Sequence, residues 1–542
     1  MKQVVQILKT GLVTALFSAL AVAQAAEIRN ATEGARFGLY PAGEFRLVDG
    51  KCADCAAPSA ALWYFRDEVL AVPKQGAEGF VRGARVFDDV RQLDGAQSAA
   101  SRPPLLWVRA PLATTGKLAG DGKAIELAGG KRQPLVLAAK LDSNRSYFDA
   151  SSQQHFSGRL LHWRGELKEG KFIGRTLWPA DYALDASRLK AQPLQAGESL
   201  DQLIRAEQGG AKSPMSARVL WQRNAKVSLP DKPVLAFVLN GAQGDDDEAL
   251  GGHFAIATGR FGSKGEWGDW IVNNFYNLDS VSEKGIVASS LPLDAYQGDL
   301  NRGQSWYRPS YFLVAVLKSE RTAAQYQQAM GRVFNHFYRH DFTYNHANAN
   351  CAGISMETLR ALGWQIPRQG PTSRWKAIAA LPVVSIQEMS LENGKKAVDY
   401  LMAEQTSLYP MVAFQAAGQD LLGRIAAGKA ETAYEKALAE DLEAIVYVRI
   451  PQFPSSRTFG NAPVASIDEY VRTAPADRKD WKTTPAVARD FPQELRDPQS
   501  PSPEMPASDL ALAGYAGFFG VTTLGVWHRR KKKRKLAQAG EQ

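Results

Sequence analysis

The sequence predicts an α+β protein: a β-rich N-terminal domain, a second domain of mixed strands and helices, and a C-terminal transmembrane helix. Three observations lead there. Short apolar runs broken by Gly, Pro, Asp and Asn turns fill residues 26–230, with no helix-length apolar period among them. Between 231 and 470 strand-length runs give way to Ala-, Leu-, Glu- and Lys-rich stretches of helical spacing. Near the end, an uncharged run meets a block of cations.

In chain order, residues 1–25 read as a secretory signal peptide. Lys2 and Lys9 precede the apolar stretch Thr10–Ala23, and Ala23-Gln24-Ala25 is a small-residue cleavage pattern. Residues 26–230 read as a β-rich accessory domain, with strands expected at Leu62–Phe65, Leu105–Val108 and Leu160–Trp163. Residues 471–508, with Pro475, Pro485, Pro492, Pro498, Pro501, Pro503 and Pro506, read as a Pro-rich linker. Residues 509–528 are the expected transmembrane helix. The eighteen residues Leu510–Trp527 carry no charge, and at helical rise they span about 27 Å, close to a bilayer core of roughly 30 Å. The tail 529–542 begins with the basic run Arg529–Lys535, which holds it on the cytoplasmic side. The expected location is a bacterial inner membrane, single-pass, with the ectodomain in the periplasm.

Composition and charge narrow the function. Of the 542 residues 45% are apolar and 22% charged, ordinary for globular domains and unlike a collagenous or disordered chain. The formal net charge is +9, but two of those charges sit at Lys2 and Lys9. The terminal run adds seven, less Glu541, so the exported part is close to neutral. No nucleic-acid partner is expected from such a distribution. The inner membrane, reached through the C-terminal helix, is.

Three cysteines remain. Cys52 and Cys55 form a C-x-x-C pair, which in an oxidising compartment reads as a local disulfide. A c-type haem would require His where Ala56 stands, and a four-Cys zinc site would require a second pair. No cofactor is expected. Cys351 is the odd one. Asn350 is a favoured helix N-cap, and Ile354, Thr358, Leu359 and Leu362 make an apolar stripe over 351–362 that Gly363 and Pro367 terminate. Cys351 therefore falls in the first helical turn, where unpaired amides favour a thiolate. Its pKa is expected below the free-thiol value of about 8.5.

An imidazole partner is available upstream. Pro233–Leu239 reads as a strand, and His253, Ala255 and Ala257 share one face of the next. Trp270–Tyr276 reads as the returning strand, putting Asn273 or Asn274, on opposite faces, within reach of His253. Further on, Glu392–Ala403 and Ala416–Val446 are helical in pattern, and Glu443–Ile450 is strand-like.

Gly252-His253 on a strand, Asn274 on the next and Asn350-Cys351 opening a helix resemble the Lnb-type N-terminal periplasmic domain family. That family is similar to the circularly permuted papain-like group, with its NlpC-type and lecithin–retinol acyltransferase-like members, in which His precedes Cys. The resemblance covers roughly 235–365. It implies that 231–470 form a permuted papain-like domain in which Cys351 is the nucleophile, His253 the general base and Asn274 the third residue. It further implies a thiol hydrolase or acyltransferase acting on a cell-envelope substrate, a peptidoglycan peptide or a lipid or lipoprotein. The alternative is a catalytically inactive periplasmic binding or scaffolding protein.

Two other clusters bear on metal binding. His336 and His340 lie four apart, with Asp341 or His346 as a third ligand, but Phe337 stands where a metalloprotease helix carries Glu. They read as solvated histidines. Asp245–Glu248 lacks the alternating ligand spacing of a calcium loop and reads as a solvated turn.

Overall fold

The apolar runs on either side of the expected site are strands of one antiparallel sheet. In a computed structural model the described residues are 29–30, 47–48, 51–52, 71–73, 84–93, 105–107, 112–138, 148–206, 214–242, 251–277, 286–300, 303–338, 344–347, 349–387, 389–455 and 462–473. The main strands are β1 (Ser216–Gln222), β2 (Pro233–Asn240), β3 (His253–Arg260), β4 (Ile271–Asn277), β5 (Ile286–Pro292), β6 (Ser310–Leu317) and β7 (Leu442–Ile450). They run β1-β7-β6-β2-β3-β4-β5, and the short strands Ala71–Pro73 and Leu105–Trp107 extend the β5 edge. Every residue of β2 and β6 is buried. Both faces of the sheet centre are therefore covered, which is why these runs are continuously apolar rather than alternating.

Helices pack against the sheet or against one another. They are α1 (Val86–Arg91), α2 (Arg321–Tyr338), α3 (Cys351–Ala361), α4 (Arg374–Gln387), α5 (Leu391–Met402), α6 (Pro410–Asp420), α7 (Ala433–Asp441) and α8 (Ile467–Thr473). α3 packs on β3 and α6 on β2 and β3. Phe237 of β2 stacks on Phe254 of β3 and meets Trp364, just beyond α3. Gly363 ends α3 at φ 106°, with the Trp364 N–H donating to the Leu359 carbonyl at 3.0 Å. That is the glycine stop expected from the sequence.

The other sheet is small and closes on itself. Strands 112–118, 124–127, 132–137, 171–179 and 160–168 pair in that order, and the last returns to the first. Closure leaves no edge between these five strands, and Ile125, Leu161, Trp163, Phe172 and Leu177 are fully buried among them. The barrel docks through Arg164, whose guanidinium donates to Asp294 and Asp269, each at 2.7 Å. The Trp267 indole N–H adds a bond to the Tyr182 carbonyl at 2.7 Å. One hydrophobic core runs through both sheets. The boundary read near 230 is crossed by β1, by α1 and by the short edge strands, all of which join the larger unit. Mixed α+β architecture is as expected.

Two readings are corrected. The helical pattern over 416–446 is broken: α6 ends at Asp420 in a π-turn over Leu421–Ile425, α7 starts at Ala433, and Leu442 already begins β7. The β-branched Ile445, Val446 and Val448 find partners on β1 and β6, and that pairing outweighs the helix propensity of Leu, Glu and Ala. His336 is not a solvated histidine. It is fully buried, with Nε2 3.1 Å from Asp89 Oδ2.

Among the described residues no helix is long and apolar enough to cross a membrane. The signal peptide at 1–25, the strand expected at 62–65, the cluster Asp245–Glu248, the transmembrane segment at 509–528 and the tail at 529–542 lie outside them. So does Cys55 of the disulfide expected with Cys52. Of the linker, only residues 471–473 are described, as the end of α8.

Candidate active site

His253 is the first residue of β3, and the backbone that delivers it requires the glycine before it. Gly252 sits at φ 74°, and a Cβ there would lie 2.6 Å from both the Asn240 carbonyl oxygen and Pro463 Cγ. Side chains are disfavoured on both counts. On β4, Asn273 stands opposite Ile256, so alternation sends Asn273 to one face of the sheet and Asn274 to the other. Asn273 accepts from the Ser290 hydroxyl at 2.8 Å. Asn274 shares the His253 face, and its Oδ1 is 2.5 Å from His253 Nε2. Of the two asparagines left open by the sequence, the structure brings Asn274 to the histidine.

Oδ1 of an amide only accepts, so Nε2 carries the proton and Nδ1 is the basic nitrogen. Burial, the positive charge of Arg308 and, against them, the Asn274 bond act on the ring; together they hold the His253 pKa down to about 3. The imidazole is neutral at physiological pH.

Cys351 opens α3 and is the free cysteine of the described chain. Asn350 caps the helix by accepting from the Gly353 N–H at 2.8 Å. Its amide donates to the carbonyls of His346, at 2.8 Å, and Leu408, at 3.1 Å. The Asn-rich loop before it folds on itself, the Ala349 N–H donating to the Asn345 carbonyl at 2.9 Å. The cap thus fixes where the thiol sits. The Phe254 and Ala352 N–H groups and the Tyr344 hydroxyl are the donors that favour the charged form of the thiol. The Cys351 N–H in turn donates to the Tyr344 oxygen at 3.2 Å. Phe254 follows His253 directly, so the thiol lies at the base of the strand that carries the imidazole.

The charge state departs from expectation. Burial pushes the Cys351 thiol up, against the pull of the three donors and Arg308. An acidic thiol was expected from the helix start alone. Desolvation outweighs that effect, because Cys351 is only 6% exposed. The resting pair is therefore neutral thiol and neutral imidazole, and no hydrogen bond joins Sγ to the ring among the described residues.

Four residues of the site carry no sequence signal. Arg308, from the loop before β6, is held by Gln304 Oε1 at 2.8 Å and the Gly241 carbonyl at 3.2 Å. From there its charge reaches His253, Cys351 and Tyr296. Asn240, paired across the sheet with His253, donates to Ser310 Oγ at 2.7 Å and accepts from the Tyr296 hydroxyl. Tyr344 is the fourth. Only the folded sheet, which sets β6 and β3 on either side of β2, assembles them.

No group of three His, Cys, Asp or Glu side chains able to hold a metal occurs among the described residues. His336 takes Asp89, and His340 and Asp341 lie outside them. Comparison with protein-family models, with curated proteins and with solved structures returns no match.

Proposed function

We propose that this chain is an exported, membrane-anchored thiol hydrolase or acyltransferase of the permuted papain-like kind, acting on amide or ester bonds of the cell envelope. The observation that carries the reading is the His253–Asn274 bond through Nε2. It leaves Nδ1 as the base beside a cysteine held at a capped helix start.

In the proposed reaction the Cys351 thiol proton passes to His253 Nδ1 as Sγ attacks the substrate carbonyl carbon. The C=O π pair moves onto oxygen, giving an oxyanion. Arg308, whose charge reaches Cys351, is the positive group available to that oxyanion. Collapse breaks the bond to the leaving group, which takes the proton from Nδ1, and a thioester on Cys351 remains. Water gives hydrolysis; an amine or alcohol gives acyl transfer. Because the resting pair is neutral, proton transfer accompanies attack rather than preceding it. Asn274 keeps the ring in the required tautomer, as the third member of such triads does.

Incubating the full chain with envelope extract tests this. Mass analysis should find an acyl adduct on Cys351, absent in Cys351→Ala. The deep burial of an uncharged thiol favours a second reading, a binding protein that performs no turnover. That reading takes over if extract leaves Cys351 unmodified while the folded chain retains an envelope component.

A further inference from the structure

One region carries apolar surface that the site does not use. α4 and α5 form a hairpin whose own core is small: Ala377, Val384, Ala397 and Leu401, with Ile467 of α8. The outward face of α4 is apolar as well. Trp375, Ile378, Pro382 and Ile386 follow one another at spacings of three, four and four, so they share a stripe along the helix. Trp375 is 82% exposed, Ile378 66% and Ile386 76%. The turn to α5 continues the stripe with Met389 and Leu391, 93% and 61% exposed. A contiguous exposed patch of this kind marks a contact surface.

Its position in the chain says what the contact is. α8 is the last described element, and it is seated on this same hairpin: Ile467 fills the small core, and Lys376 Nζ lies 3.1 Å from Asp468 Oδ1. From Thr473 the chain continues through the Pro-rich residues 474–509 to the uncharged run Leu510–Trp527 and its seven cations. The apolar stripe therefore lies where the chain leaves for its apolar segment. The exposed cation Arg374 adjoins Trp375, and Lys395 is exposed on α5. Trp is enriched where a protein meets the membrane–water interface, and here it sits beside a cation on an exposed apolar helix.

We propose that the α4–α5 hairpin rests on the lipid bilayer, with Trp375, Ile378, Ile386, Met389 and Leu391 entering the interface. This contact would fix the orientation of the folded part over the membrane. It rests on the membrane-anchored part of the proposed function and not on the catalytic part, since no residue of the site takes part.

The test uses the full chain reconstituted into phosphatidylethanolamine–phosphatidylglycerol vesicles containing acyl-brominated lipid. A fluorophore on Ile386→Cys, with Cys52, Cys55 and Cys351 replaced by Ser, should be quenched several-fold more than one on Lys429→Cys, an exposed turn position. The difference should persist as protein is diluted in lipid. Equal quenching at the two positions overturns the proposal. So does a blue-shifted but unquenched label at 386: if the shift grows with protein density, a second copy covers the stripe, and if it is the same in detergent, residues 510–527 do. Should the cysteine-free background fail to fold, Trp375→Phe in the natural sequence serves instead. It should remove a measurable part of the lipid-quenched Trp emission, and no change contradicts the proposal.

Discussion

Two buried histidines stand on elements that pack against α3, and each presents Nε2 to one oxygen. For His253 the oxygen belongs to the neutral amide of Asn274. For His336 it belongs to the carboxylate of Asp89, which also takes the Arg332 guanidinium at 3.1 Å. The first partner adds no charge, and burial and the Arg308 charge keep that imidazole neutral beside the thiol. The second joins His336 to the Asp89–Arg332 ion pair, which clamps α1 onto α2. In the proposed reading the same ring, buried in both places, serves chemistry in one and packing in the other. What separates them is the charge of the partner and the presence of a thiol.

Substitutions should separate the two clusters, beginning with the largest effect. Cys351→Ala should abolish acyl transfer, a loss of about 10⁶-fold for a nucleophile that acts with its base, while the thermal unfolding midpoint moves little. His253→Ala should cost roughly 10²–10⁴-fold in kcat/KM, the range for a lost general base. Asp89→Ala should do the reverse. It leaves the Arg332 charge buried without its carboxylate, at about 3–5 kcal/mol of stability, as measured by denaturant unfolding. Its effect on turnover should not exceed what that loss of folded protein explains. Asn274→Ala should cost about tenfold in kcat, since it only orients the ring.

The pH dependence sharpens the contrast. His253 titrates near 3 when folded and near 6.5 when unfolded, so between those values the unfolded chain binds the extra proton. Stability should therefore fall as pH drops from about 6.5 toward 3. In His253→Ala that contribution vanishes, and the acid slope of unfolding free energy should flatten. A slope unchanged by the substitution would place the ring in water rather than in the core.

Much of the site was legible before folding. The run Pro233–Leu239, the alternation after His253 and the Asn350–Gly363 punctuation are local, and each became the expected strand or helix. His253 and Asn274 meet because neighbouring strands pair, and Cys351 opens a helix that packs on β3. Arg308, Asn240, Tyr296 and Tyr344 were not legible, because their roles come from non-local pairing. So does the insertion of β7, the last strand, between β1 and β6. The charge state was misjudged for a related reason. A helix start is visible in sequence, whereas the depth at which it is buried is not, and depth decided the sign at Cys351.

The dyad itself is most directly tested by acylation with an activated ester, followed by intact mass at neutral pH. A thiol that waits for its base should acylate on Cys351 in the natural chain and at least a hundredfold more slowly in His253→Ala, with both proteins folded by circular dichroism. Equal rates in the two, or modification away from Cys351, would mean that His253 takes no proton from the thiol.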